Sequence, residues 1–144
     1  MEDIDIIVKH RLGMFADMYP DLGKEIEASK EETHTWILEQ LSNGNLVGFI
    51  VRTDAGQVAG SGCLWIKKEQ PNPTRARLEA PYLLSMFTEK NFRRKGVARL
   101  IVKTAIGWSR ENGYDRINLH ATEVGKPLYE ELGFKPTTEM LLKL

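Results

Sequence analysis

Tyr82-Leu83-Leu84-Ser85-Met86-Phe87-Thr88 followed by Asn91-Phe92-Arg93-Arg94-Lys95-Gly96-Val97-Ala98 is the stretch on which the fold turns. The first seven residues are an apolar run of strand length, the second group is basic and carries a glycine, and an amphipathic helix runs on from about Val97. That order puts Arg93, Arg94 and Lys95 where a helix presents its unpaired N–H groups and the positive end of its dipole. Three cations there oppose the dipole and repel one another, whereas a helix start selected for stability alone carries Asp, Ser or Glu. The conflict is resolved if an anion, most simply a phosphate, lies in the gap and bonds to both backbone and side chains. The plain structural reading of the same residues is a solvated basic loop ahead of an ordinary helix.

Working outward, the helix from Val97 to about Glu111 shows Val97, Leu100, Ile101, Thr104, Ala105 and Trp108 as a stripe suited to packing on a sheet, and Asn112-Gly113 ends it. Arg116 to Thr122 alternates polar and apolar residues, which predicts a strand with two different faces. A short helix then holds Leu128 to Leu132, with Pro127 in its first turn, Gly133 as a left-handed stop and Phe134 packing back. Met140 to Leu144 reads as a closing strand. Upstream, Leu46–Arg52 and Val58–Ile66 flank an Asp54-Ala55-Gly56 turn, and Gln70-Pro71-Asn72-Pro73-Thr74 must be loop. Ile4, Ile7, Val8, Leu12, Phe15 and Met18 predict a first helix that ends before Pro20. Ser29 with Glu32 fits a capping box for a second helix, which carries Trp36, Ile37 and Leu41 and stops near Asn43-Gly44. Helices, then a hairpin, then alternating strands and helices give an α/β (α+β) chain with a mixed sheet flanked by helices. No composition shift or linker marks a boundary, so residues 1–144 are expected to form one domain.

Bulk properties narrow the function classes. No apolar run nears the ~20 residues of a membrane helix, and the acidic Met1-Glu2-Asp3-Ile4-Asp5 start is unlike a secretion signal. The one cysteine, Cys63, reads as a small buried apolar residue in a cytoplasmic protein. No Cys/His cluster suggests a metal. Net charge is zero, which disfavours nucleic acid as a partner. The balance conceals an asymmetry: residues 1–72 carry seven Lys/Arg against twelve Asp/Glu, and residues 73–144 carry thirteen against eight. A polyanionic ligand suits the second half and a cationic partner the first.

Arg93-x-x-Gly96-x-Ala98 between a strand and a helix resembles the first signature of the GNAT acetyltransferase superfamily, and Leu128-Tyr129-Glu130-Glu131-Leu132-Gly133-Phe134 resembles its second. The resemblance runs from the second helix to the closing strand. It implies a mostly antiparallel central sheet with helices on both faces and two splayed central strands, between which coenzyme A binds as acetyl-CoA. The N–H groups of Arg94, Lys95, Gly96, Val97, Ala98 and Arg99 would meet its diphosphate, and Arg93 and Arg94 would add charge-assisted contacts. Free backbone groups of Met86, Phe87 and Thr88 would pair with pantetheine, as a ligand adding a strand. The fully paired alternative for that strand stays open at this level.

Tyr129 stands where the family places a tyrosine that protonates the departing thiolate. Phenol, near pKa 10, is a weaker acid than a thiol near 8.5, so hydrogen bonding to the developing charge is the other form of help. Glu79, His120 or a water chain would take the proton of the attacking amine, while His10 and His34 read as surface or lid residues. Relatives often carry Asn and then Ala ahead of the tyrosine; here the positions are Thr122 and Gly125, and Thr122 either contacts the cofactor or caps the helix. The family's usual first strand looks missing or shortened, which leaves oligomeric state, a homodimer included, undetermined. The function implied is N-acetyl transfer to a primary amine of a small molecule or peptide by direct attack, with a cationic acceptor suggested by the acidic first half. A non-catalytic acyl-CoA-binding module is the alternative.

Overall fold

Val58 to Lys68 is the axis of the molecule. In this computed structural model, which describes residues 2–144 and leaves Met1 outside, that segment forms a strand buried on both faces from Ala59 to Leu64. We number the strands β1 (Leu46–Arg52), β2 (Val58–Lys68), β3 (Glu79–Thr88) and β4 (Asn118–Leu119), and the helices α1 (Asp3–Met18), α2 (Gly23–Ala28), α3 (Lys30–Ser42), α4 (Val97–Glu111) and α5 (Lys126–Glu131). The sheet order is β1-β2-β3-β4, with antiparallel pairs except for β3 and β4, which run parallel.

Strand alternation decides what each face buries. Cys63 points to α1 and α3 and joins Ile7, Val8, Ile37 and Leu46 in one core. Its neighbour Leu64 points to α4 and joins Leu83, Val102 and Ala105 in the other. Burial of each Val, Leu or Ile among them contributes about 1.5–3 kcal/mol. The α4 stripe is rotated from the sequence expectation. Val97, Ile101, Val102, Ala105 and Ser109 are buried, while Leu100 and Thr104 face water. Val102, not Leu100, fits the sheet surface above Leu64 and Leu83.

Three other expectations are corrected. Ser29 and Glu32 form no capping box, because Ser29 already has helical backbone at the junction with the unforeseen α2 and its hydroxyl donates to Ile26 O. Arg116–Thr122 pairs only through Asn118 and Leu119. Met140 to Leu144 joins no strand, and Met140, Leu141, Leu142 and Leu144 are exposed. At α5 the expectation holds: Pro127 lies in the first turn, and Phe134 N–H to Tyr129 O with Gly133 N–H to Glu130 O closes the helix around a left-handed Gly133.

Candidate active site

The decisive local event is one extra residue in β3. Ser61 lies opposite Phe87, and Cys63 opposite Leu84, so two residues of β3, Ser85 and Met86, face the single Gly62. This is a β-bulge, and Ser85 takes left-handed backbone at φ 58°. Gly62 permits it: a Cβ there would lie 2.5 Å from Met86 Sδ and 2.8 Å from Ile101 Cγ2. Beyond the bulge β3 has no partner on its β4 side, since pairing to β4 stops at Leu83. Leu84 to Thr88 therefore present a free backbone edge to a cleft.

The free edge leads into the start of α4. Gly96 sits at φ 83°, a conformation cheap only for glycine, and Leu100 N–H is the first to be accepted, by Gly96 O. Among the described residues no protein acceptor meets the N–H groups of Arg94 to Arg99. All of these residues but Lys95 line one end of a cleft of about 1360 Å³, whose walls are α1, β3, the start of α4 and the segment from His120 to Tyr129.

Of the residues singled out in the sequence, Met86, Phe87, Thr88, Arg93, Arg94, Gly96, Val97, Ala98, Arg99, Thr122 and Tyr129 all line this cleft. Lys95 does not, and its ammonium lies 5.9 Å from the centre of the Phe92 ring. The cations have unequal freedom. Arg93 donates to Thr88 O (2.9 Å) and Asp17 Oδ2 (2.8 Å), which ties the loop to α1. Arg99 is paired with Glu131. Arg94 makes no ion pair or side-chain hydrogen bond among the described residues, and it adopts φ 62°. Thr122 does not cap α5, whose N-cap is Gly125; its hydroxyl accepts the Gly125 N–H at 3.1 Å and closes the turn ahead of the helix. Gly125 leaves room for that, because a Cβ there would meet Tyr129 Cε2 at 3.1 Å and Thr122 Oγ1 at 3.2 Å. Burial pushes the Tyr129 hydroxyl above its ordinary pKa, so it is protonated at neutral pH and is a hydrogen-bond donor.

The bases separate. Glu79 opens β3 about 20 Å of strand away from the bulge, is offset by Arg77 and does not line the cleft. His120 lines it and is exposed. His10 is not a surface residue. It is buried, with Nδ1 2.7 Å from Ser61 Oγ and Nε2 3.0 Å from Glu89 Oε1. Glu89 only accepts, so Nε2 carries the hydrogen and the ring accepts from Ser61. His34 is half-buried near Asp5. Cys63 is buried and its thiol is pushed up to about 12 by desolvation, which removes it as a nucleophile.

The two signatures thus meet across one cleft, and a profile described as the acetyltransferase (GNAT) family matches residues 12–134. The chain belongs to the GNAT acetyltransferase family. Its fold is similar to that of a GCN5-related N-acetyltransferase from Ralstonia eutropha JMP134, with 26% identity, 99% of this chain and 92% of that one covered, and a TM-score of 0.89. It is also similar to a predicted acetyltransferase with acetyl-CoA from Clostridium acetobutylicum, with 24% identity, 99% and 90% covered, and a TM-score of 0.85. Among curated proteins, human N-acetyltransferase 8 is 23% identical over an aligned length of 125, with 71% of this chain covered. The chain spans about half of that relative's length, 54%.

Two features of this GNAT chain escaped the sequence reading. The left-handed Ser85 had no signal, since the run around it is simply apolar. Arg11 had one. It stands four residues from both Ile7 and Phe15, on the apolar stripe of α1, where a cation needs a reason. Its Nη1 donates to Ser85 Oγ at 2.9 Å, so it reaches the bulge itself.

Proposed function

We propose that this chain is an N-acetyltransferase that uses acetyl-CoA as acyl donor and a primary amine as acceptor. The observation that carries the reading is the unpaired edge of β3 running directly into the uncapped N-terminus of α4. A fully paired sheet would leave no room for a ligand, and a capped helix no donors for a diphosphate. Main-chain groups of Met86, Phe87 and Thr88 suit an amide-bearing pantetheine. The N–H groups of Arg94 to Arg99 suit the diphosphate, with Arg94 as the free cation and Arg93 holding the loop. The thioester supplies the activated acyl group. The amine nitrogen bonds to the carbonyl carbon as the C–S bond breaks, with no covalent enzyme adduct. The thiolate takes a hydrogen bond from Tyr129, and the ammonium proton leaves to water at the open mouth of the cleft, where His120 stands.

The test is thiol release from acetyl-CoA across a panel of amines, with wild type and Tyr129→Phe compared. Amine-dependent release that drops in the variant is expected. If acetyl-CoA raises the melting temperature while no amine accelerates release, the protein is a binding module and the catalytic reading is wrong.

A further inference from the structure

Beyond the bulge, away from α4, the cleft changes character. Its lining there is aromatic and cationic: Phe15 from α1, Trp65 and Lys67 from β2, Tyr82 from β3, and Arg11 beside Ser85. Arg11 is half-buried, and burial lowers its pKa. No carboxylate pairs with it among the described residues. Lys67 likewise has no acidic partner, and its ammonium lies 5.3 Å from the Trp65 ring centre and 4.8 Å from that of Tyr82. The Tyr82 hydroxyl is buried without a hydrogen-bond partner among the described residues. The carboxylates nearby are otherwise engaged or peripheral. Asp17 is paired with Arg93, Glu123 is exposed, and Glu139 faces His120 from outside the cleft.

A desolvated guanidinium with no counter-charge is costly, and a ligand carboxylate is the partner that best offsets it, by a bidentate contact. From this we propose, resting on the acetyltransferase reading above, that the acceptor is an α-amino carboxylate with an aromatic or apolar side chain. Arg11 takes the carboxylate next to the bulge, which sets the α-amine beside the free edge of β3. The side chain lies on Trp65 and Tyr82, and Lys67 closes that end against cationic side chains. The acidic excess of the first half, which suggested a cationic acceptor, belongs to surfaces elsewhere: Glu25, Glu27, Glu31, Glu32 and Glu39 are exposed on α2 and α3.

The experiment is a matched amine series, L-phenylalanine, phenylalaninamide, 2-phenylethylamine and spermidine, assayed by thiol release, with acetyl-CoA binding followed separately by calorimetry. Phenylalanine should exceed the amide and the decarboxylated amine in kcat/KM by roughly 10-fold or more, with spermidine poorest. Arg11→Gln should erase that preference mainly through KM while binding acetyl-CoA as the wild type does, and Arg11→Lys should restore part of it. Melting curves of both variants report folding. Equal or better turnover of the amide or of spermidine overturns the proposal, as does a preference that survives Arg11→Gln. So do inert carboxylated amines with acetyl-CoA bound. If calorimetry shows no acetyl-CoA binding, the acetyltransferase reading itself fails first.

Discussion

Arg94 joins two effects that pull in opposite directions, and separating them tests why the residue is there. Its φ of 62° is left-handed, and a non-glycine residue pays about 1–2 kcal/mol for that conformation. Arg94→Gly removes the penalty but loosens the unfolded chain by about 0.5–1 kcal/mol. The net expectation is a gain of about 0.5–1 kcal/mol, or about 2–4 °C in melting temperature for a chain of this size. Arg94→Ala keeps the backbone penalty and gains nothing. Both variants lose a cation that lines the cleft and has no ion pair among the described residues. At an exposed position that loss costs about 1–1.5 kcal/mol of binding, roughly 5- to 10-fold in the dissociation constant of coenzyme A, and less at high salt. Calorimetric unfolding and coenzyme A titration of the three proteins are the assays. A glycine variant that melts no higher than the alanine variant, or one that binds coenzyme A as tightly as wild type, would refute the reasoning.

Gly60 faces fixed neighbours: a Cβ there would lie 2.7 Å from Phe87 O and 2.8 Å from Val97 Cγ1. Gly60→Ala should therefore destabilise by about 1–3 kcal/mol, read as a lower urea midpoint. Tyr129→Phe should lower kcat roughly 10- to 100-fold with little change in melting temperature. Because burial raises its pKa, ionisation of Tyr129 should not diminish wild-type activity below pH 10. His10 is held below its usual pKa of 6.5, chiefly by desolvation, which outweighs its bond to Glu89. The unfolded chain then binds the proton more readily, so stability is full above pH 6.5 and falls as pH drops below it. Glu89 is opposed by desolvation, but its bonds to Lys9 and His10 lower its pKa, so its contribution is lost near and below pH 4.5. His10→Asn should flatten the pH dependence of the unfolding midpoint just below pH 6.5 and leave the part near and below pH 4.5; an unchanged slope just below 6.5 would count against the buried pair.

What could be read without coordinates was what local chemistry dictates. The strand–basic loop–helix order, Pro127 and Gly133 are fixed by dipoles and backbone geometry within a few residues, and they are enough to anticipate the turn into α4 and the short helix that carries Tyr129. What could not be read depends on distant partners. The bulge at Ser85 exists because Gly62, more than 20 residues away, leaves space for Met86. His10 reads as a surface or lid residue in the sequence because its partners, Ser61 and Glu89, lie far along the chain. Glu79 looked close to the chemistry along the chain, yet it lies at the far end of β3. Thr88 O and Asp17 claim Arg93, a pairing invisible in the sequence, and the freedom of Arg94 is the complement of it.

The central claim is that the edge of β3 and the start of α4 form one continuous binding surface. Backbone amide NMR during titration with coenzyme A, and separately with pantetheine, tests it most directly. The account predicts saturating shifts at Gly96, Val97 and Ala98 with coenzyme A alone, and at Met86, Phe87 and Thr88 with both. Amides from Gly96 to Ala98 that stay silent at millimolar coenzyme A would contradict it.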